Sequence, residues 1–408
     1  MTRRRDHPDV RIALVTDTYA PQVNGVTTVC RRVVRVVRAA GHAAVVVAPA
    51  YPGAPAEPDG DELRIPSVPF PPYPQIRLSL PRHRTVRGFL DAFRPDLVHV
   101  ATEGPLGALG RGYALRRRVP LVTSFHTHFA QYFRYYGAGV LSPVVWRWLI
   151  RFHEPARLTH TPGEAVRDEL AARGIQHAVV WGRGVDTDHF RPERRSPGWR
   201  RWLAGGEDSV IVLHVGRLAR EKNLGTLATA FLDAHARLGQ RATFAIAGEG
   251  PGRRQLMARL PFARQLGFLD PAALATLYAS ADLCVLPSFT ETCGLIALEA
   301  MASGLPVVAA DAGGLRESVR HGHNGLLVPP RDAAAFAAAT VELAIDPARR
   351  LDCRDGRPVQ DHRDPRRLAA GGDDARLRCT ADVRVASSRG PYCSAISLQA
   401  CYTSAVCA

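Results

Sequence analysis

The sequence predicts an α/β protein built from two doubly wound, Rossmann-like domains facing each other across an interdomain cleft. Three observations carry that expectation. Short apolar, β-branched runs alternate with helix-length segments from Arg11 onward. The alternation stops over a stretch rich in Arg, Pro and Gly at 182–208, and a second alternating series begins at Val210. Such alternation with apolar strands indicates parallel sheets covered on both faces. Open sheets of this kind bind ligands beyond the carboxyl ends of their strands, so a site between the domains is expected before any motif is read.

The elements follow in order. Arg11–Thr16 (RIALVT) reads as a strand. Val26–Ala40 places Val29, Val33, Val36 and Val37 at helical spacing with arginines between them, and Gly41 is well placed to cap that helix. Ala43–Ala48 returns to strand, and the rhythm continues through Asp96–Val100, Pro120–Phe125, Leu158–Thr161 and Ala178–Trp181. After the break come Val210–Val215, Thr243–Ala247, Ala263–Phe268, Asp282–Pro287, Pro306–Ala310 and Gly325–Val328. The resulting division is a first domain over 1–185, a linker over 186–208, a second domain over 209–350 and an atypical tail over 351–408. The tail has no Glu, only nine Leu, Ile, Val or Phe, and no period of 3.6 or 2.0, so disorder is expected there. Its abrupt change of character is the mark of a frameshift or a divergent replacement. Translating the coding DNA in its other frames tests this, and absence of a helical continuation in both would reject it.

Composition sets limits. The 408 residues are 46% hydrophobic and 22% charged, as in a soluble protein of two or three domains. No apolar run reaches the roughly eighteen residues of a membrane span, and none follows Arg3–Arg5, so neither a spanning helix nor a secretory signal is expected. Lys and Arg number 53 against 38 Asp and Glu, a net charge of +15, and a single one of those cations is lysine, Lys222. The arginines are spread along the chain without zinc-finger spacing or an RNP-type strand, so nucleic acid is not expected as a partner. Phosphorylated small molecules and an anionic membrane surface remain. Arg77, Arg82, Arg84 and Arg87 interleave with Phe70, Tyr73, Ile76, Leu78 and Phe89, and Arg147 and Arg151 with Trp146 and Trp148. That pattern suits a bilayer surface, and ordinary amphipathic helices account for it equally well. Cys30, Cys284 and Cys293 sit in apolar runs and read as reduced thiols of a cytoplasmic protein. The five tail cysteines match no zinc spacing.

Four constellations carry chemistry. Val215-Gly216-Arg217 ends a strand and Glu221-Lys222-Asn223 precedes a helix, so Arg217 and Lys222 suit a diphosphate beside that helix start. Two solvated charges are the plain alternative; the chain's only lysine at this position favours the phosphate. Glu291 lies in the loop after a strand, and Glu299 lies in a helix apolar nearly all round. A carboxylate there is costly unless a diol or an arginine satisfies it. Gly294 opens that helix and leaves backbone N–H groups to an anion. Gly25 in Pro21-Gln22-Val23-Asn24-Gly25-Val26 lets a phosphate approach the backbone, though turn geometry explains it as well. His126 and His128 follow a strand in Thr123-Ser124-Phe125-His126-Thr127-His128-Phe129, without a third metal ligand nearby, so hydrogen bonding in the cleft is expected. Phe129, Tyr132, Phe133, Tyr135 and Tyr136 beyond them read as core, with an exposed part able to line an acceptor site. Gly248-Glu249-Gly250-Pro251-Gly252 lacks dinucleotide spacing.

Together PQVNGV, SFHTHFAQYFRYYG, GRLAREKN, TETCGLIALEAMASGLPVVA and AGGLRESV…GHNGLLVPP closely resemble glycosyltransferase family 4, the retaining enzymes of GT-B fold, from about Arg11 to Arg350. Through VPFPPYPQIRLSLP the chain looks most like the lipid-directed branch of mannosyl-, glucosyl- and sulfoquinovosyltransferases. The resemblance implies a hexosyltransferase using a GDP- or UDP-linked sugar, without a cofactor or metal. Its acceptor would be a lipid or glycolipid at the cytoplasmic membrane face, with the enzyme cytoplasmic and peripheral on that inner face. A soluble small-molecule or polysaccharide acceptor, or a nucleotide-sugar-binding protein impaired by its altered terminus, is the alternative. It implies that Arg217 and Lys222 hold the pyrophosphate, Glu299 the ribose hydroxyls and Glu291 the hydroxyls of the transferred sugar. Gly25 would lie under the β-phosphate, His126 or His128 beside the reacting centre, and Gly294, Leu295, Gly314 and Leu315 against the donor. Cys293 stands where the family usually has an aromatic residue.

Overall fold

Two parallel sheets organise the chain in the computed structural model, which describes residues 10–53, 61–70, 73–80, 82–128, 137, 139–181, 184–204 and 209–355. In the first half the strands are β1 (Arg11–Val15), β2 (Ala43–Pro49), β3 (Glu62–Ile65), β4 (Ser67–Phe70), β5 (Tyr73–Ser79), β6 (Leu97–Val100), β7 (Leu121–Ser124), β8 (Leu158–Thr161) and β9 (Ala178–Val180). Seven of them form a sheet in the order β3-β2-β1-β6-β7-β8-β9, each neighbour parallel. β4 and β5, which the alternation did not single out, pair antiparallel beside it. In the second half β10 (Val210–Val215), β11 (Ala242–Ala247), β12 (Arg264–Gly267), β13 (Leu283–Leu286), β14 (Val307–Ala310) and β15 (Gly325–Val328) run parallel in the order β12-β11-β10-β13-β14-β15. Both sheets reverse their strand order once, at β1/β6 and at β10/β13, and the loops leaving β1, β7, β10, β13 and β14 gather outside those switch points.

The strands are apolar because both faces are covered. Along β1, Ile12 and Leu14 join one core with Val33 and Val46, while Ala13 and Val15 join the opposite core with Val98 and Leu106. Helix Gly25–Ala39 supplies the first of those covers. It starts at Asn24, whose side chain accepts from the Thr27 N–H at 2.8 Å, and buries Val29, Cys30, Val33, Val34 and Val37. In the second domain Phe231, Phe244, Tyr278, Leu298 and Phe336 pack into one core around β10–β15.

Two boundaries differ from the sequence expectation. The span 186–208 is not simply a linker: it carries a turn at Pro192–Arg194 and a helix at Pro197–Ala204. Phe190 and Leu203 sink into the second core, and buried Arg200 donates to Asp282 at 2.8 Å and to the Ser280 carbonyl at 2.9 Å. An arginine-rich stretch reads as solvated, but one guanidinium with a buried carboxylate partner turns this segment inward. At the other end, helix Pro347–Asp355 runs through the expected boundary at 350 and buries Cys353. The rest of the tail, 356–408, with Cys379, Cys393, Cys401 and Cys407, lies outside the described residues.

Candidate active site

The site starts where β10 and β11 end. Gly216 and Gly248 both have positive φ, and a Cβ at Gly248 would stand 1.9 Å from the Gly216 carbonyl oxygen, so the two loops touch backbone to backbone. That contact fixes the path of Arg217, whose guanidinium donates to the fully buried carboxylate of Glu221. A tight turn at Arg220–Lys222 follows, closed by Asn223 at φ +57°. Asn223 Nδ2 donates to the Pro287 carbonyl at 3.1 Å, and Thr290 Oγ1 donates to the Glu221 carbonyl at 3.1 Å, so this turn is strapped to the loop after β13.

The strap brings Lys222 Nζ to 2.6 Å from Glu291 Oε1. Burial opposes ionisation of Glu291, yet Lys222 and a hydrogen bond from Ser288 hold its carboxyl below the usual carboxylate range. His214, beneath them, donates from Nδ1 to the Val285 carbonyl at 2.8 Å. Burial, with Lys222 nearby, depresses it to about 4, so it is neutral at physiological pH. Gly294, at φ +66°, begins helix Leu295–Ala302, where a Cβ on it would meet Leu315 Cδ2 at 3.1 Å. Among the described residues Glu299 on that helix pairs with no arginine; Tyr278 Oη donates to its Oε2 at 3.2 Å. Burial raises this carboxyl to about 7, against the lowering effect of the tyrosine hydroxyl. Cys293 is buried in the second core.

The first domain contributes from across the cleft. Gly25 opens helix Gly25–Ala39, and a Cβ on it would lie 3.3 Å from Leu295 Cδ1, so these two helix starts face each other. The buried His126 offers its carbonyl to Thr292 Oγ1 at 3.3 Å, beside Glu291. His128 turns elsewhere: its Nε2 lies 2.7 Å from Glu169 Oε2, and its ring packs edge-on to Trp146. The structure therefore separates the two histidines, with His126 on the cleft. The aromatic run from Phe129 to Tyr136 lies outside the described residues. One further contact joins the domains. Glu317, on the short helix Gly313–Ser318, accepts from the N–H groups of Glu164 (3.1 Å) and Ala165 (2.9 Å) at the start of helix Glu164–Ala172. On the same short helix Gly314 N–H donates to the Glu291 carbonyl at 2.7 Å.

Sequence reasoning thus brought Arg217, Lys222, Glu291, Gly294, Leu295, Glu299, Gly25 and His126 to one cleft, and the structure gathers them there. It missed Glu221, Tyr278 and Glu317. Glu221 stood inside the quoted motif, four residues from Arg217 on the same turn. Glu317 stood inside another, three residues beyond Gly314. Tyr278 gave no local signal. Among the described residues no group of three or more His, Cys, Asp or Glu side chains is arranged to hold a metal, and no helix is long and apolar enough to cross a membrane.

Comparison with known proteins gives this cleft a lineage. A family model described as Glycosyltransferase Family 4 matches residues 23–189, and one described as Glycosyl transferases group 1 matches residues 209–346. A GDP-mannose-dependent alpha-mannosyltransferase of Mycolicibacterium smegmatis is 39% identical over 327 residues, covering 78% of this chain and 84% of that protein. The sulfoquinovosyl transferase SQD2 of Arabidopsis thaliana is 36% identical over 277 residues, 65% of this chain and 53% of that protein. Among solved structures, a sucrose-phosphate synthase from Thermosynechococcus elongatus has the same fold, with a TM-score of 0.69 at 23% identity over 85% of this chain and 92% of that one. The chain belongs to glycosyltransferase family 4 and is a hexosyltransferase of GT-B fold.

Proposed function

We propose that the protein transfers mannose from GDP-mannose, with retention at the anomeric carbon, to a lipid or glycolipid acceptor at the inner face of the membrane. The observation that carries the donor half is the Lys222–Glu291 pair at 2.6 Å beside Arg217. An ammonium has three donors, enough to hold Glu291 and still meet a phosphate oxygen, while the second oxygen of Glu291 suits a sugar hydroxyl. Glu299, whose carboxyl burial raises to about 7 so that it is partly protonated near physiological pH, gains its hydrogen-bond complement from a ribose diol. Gly25 and Gly294 supply close backbone approach from either side.

As the sugar–phosphate bond breaks, negative charge grows on the departing β-phosphate oxygen. Lys222 and Arg217 stabilise it, a contribution of about 3–4 kcal/mol by comparison with oxyanion sites. The acceptor hydroxyl forms its bond to the anomeric carbon on the same face, and its proton passes to that departing oxygen. His126 borders the reacting centre. The cations for the leaving group come from the chain, so the mechanism requires no resident metal. The acceptor half rests on a relative named for glycolipid synthesis, an alpha-monoglucosyldiacylglycerol synthase of Streptococcus pneumoniae, and on the basic, apolar surface described below.

The test is transfer from a panel of GDP-, UDP- and ADP-sugars to membrane lipids, with the product's anomeric configuration read by NMR and the reaction repeated in EDTA. Mannosyl lipid of retained configuration, formed equally in EDTA, is expected from GDP-mannose. Transfer only to soluble acceptors, inverted product, or donor binding without turnover would each overturn the corresponding part.

A further inference from the structure

Helix Ser142–His153 and the turn Gly139–Leu141 before it have two faces of different character. Inward, Trp146, Leu149 and Phe152 are buried. Outward, Val140 is 86% exposed, Val144 66% and Trp148 42%, and these residues recur every four positions along one stripe. Leu141 adds to it at 47%. Apolar side chains arrayed this way are a cost to a protein surface that contacts only water. Arg147 and Arg151, also four apart and exposed, flank the stripe, and no acidic residue occurs from Gly139 to His153. Immediately behind lies an open cavity of about 860 Å³, walled by Trp146, Arg147, Arg151, Arg173, His128 and Glu169. Arg173 lies over the Trp146 ring at 3.8 Å, and Glu169 is held by His128 and Arg173, which leaves the cavity rim cationic. Burial works against ionisation of Glu169, but those two partners keep its carboxyl below the usual range, so near neutral pH it is an anion offset by its own partner Arg173, and Arg147 and Arg151 carry the excess positive charge. The cavity begins two residues from His126, whose carbonyl meets the donor loop.

We propose that this face docks on an anionic lipid surface, with the stripe Val140–Leu141–Val144–Trp148 entering the acyl boundary and Arg147, Arg151 and Arg173 taking an anionic headgroup into the cavity. A tryptophan at the edge of an apolar stripe, arginines beside it and no acid between them is the chemistry of a lipid interface. A nucleic acid would use the arginines and leave the valines without a role. The proposal rests on the lipid-acceptor reading above and adds the surface that delivers the acceptor to the cleft.

The experiment is co-sedimentation of the full chain with phosphatidylcholine vesicles, with and without phosphatidylglycerol, alongside transfer assays on vesicle-borne and detergent-dispersed lipid. The wild type should bind the anionic vesicles preferentially. Val144→Glu/Trp148→Glu should lose binding about ten-fold or more, with donor affinity and melting temperature kept. Arg147→Ala/Arg151→Ala should lose roughly 30-fold on anionic vesicles and little on neutral ones. The Glu double variant should still transfer to detergent-dispersed lipid while failing on vesicles. Equal binding of wild type to both vesicle types, or undiminished binding of the Glu variant, would overturn the docking face. Vesicle binding that follows these patterns without transfer to any lipid would instead overturn the acceptor reading and leave the docking face standing.

Discussion

Replacing Gly163 by alanine is predicted to loosen the two domains without unfolding either. Gly163 has φ −167°, an extended conformation that alanine adopts freely, so the substitution tests space alone. The added Cβ would stand 2.2 Å from Glu317 Oε2 and 2.8 Å from its Cδ. The carboxylate must therefore leave the Glu164 and Ala165 amides that it now caps at 3.1 and 2.9 Å. A carboxylate on an exposed helix N-terminus is worth about 1–2 kcal/mol after solvent screening. That corresponds to roughly 5–30-fold in the equilibrium between joined and separated domains. Because Gly314 on the same short helix holds the Glu291 carbonyl, the loss reaches the donor loop. Donor kcat/KM should fall by that factor in Gly163→Ala and in Glu317→Ala, with the melting temperature nearly unchanged. The double variant should be no worse than either single one, since both remove one contact. Losses that add, or unchanged activity in both single variants, would refute the coupling.

The other predictions concern charge. Lys222→Ala should lower transfer kcat/KM by about 10²–10³-fold, measured at steady state, because it removes a leaving-group cation and leaves the Glu291 carboxylate uncompensated. Burial raises Glu299 from 4.5 to about 7, so the folded state holds a proton that the unfolded state releases in that window, and the ligand-free protein loses stability as pH rises through it. Glu299→Gln should consequently be more stable than wild type at pH ~8, by up to about 3 kcal/mol, and equal to it at pH ~4 in urea unfolding. His160 and His214 are depressed by burial from 6.5 to about 4, so the unfolded state binds the extra protons, and stability falls as pH drops from about 6.5 toward 4. In the Glu299→Gln background, which silences the opposing carboxyl, each histidine should contribute up to about 3 kcal/mol to that loss, read by circular dichroism across the same range.

What could be read from the sequence was whatever repeats locally. β10 and β15 fall on the runs that predicted them, and helix Gly25–Ala39 lies one residue from its expected span. Apolar strands and valine periodicity are properties of neighbouring residues, so one chain segment suffices to reveal them. Partners are not. Lys222 and Glu291 are 69 positions apart, and nothing in either motif says that one holds the other. Glu299 was legible as a costly carboxylate, but its partner is Tyr278 rather than an arginine, because the helix behind it brings a hydroxyl and no cation. His126 and His128 were indistinguishable until Glu169, 41 positions on, drew the second away. The interdomain contact of Glu317 needs both sheets in place before it exists at all.

The single lysine shows how little of a net charge of +15 the chemistry uses. Every other cation in the chain is arginine, yet this position sits on a turn only three residues long, closed by Asn223 in a left-handed conformation and strapped to the loop that carries Glu291. A guanidinium is a broad planar fork that commits its donors in fixed directions, and a fork engaged with Glu291 would aim its remaining donors by the geometry of that pair. An ammonium is compact and directs its donors tetrahedrally, so it can approach to 2.6 Å and still turn toward a phosphate. Arg217 meets the opposite requirement at the strand end, where its reach is fixed by the buried Glu221. The two cations are therefore not interchangeable, and exchanging them as Arg217→Lys with Lys222→Arg keeps the net charge while breaking both geometries. Transfer in that swapped variant should be as poor as in Lys222→Ala. Near-normal activity would mean that the site reads charge alone.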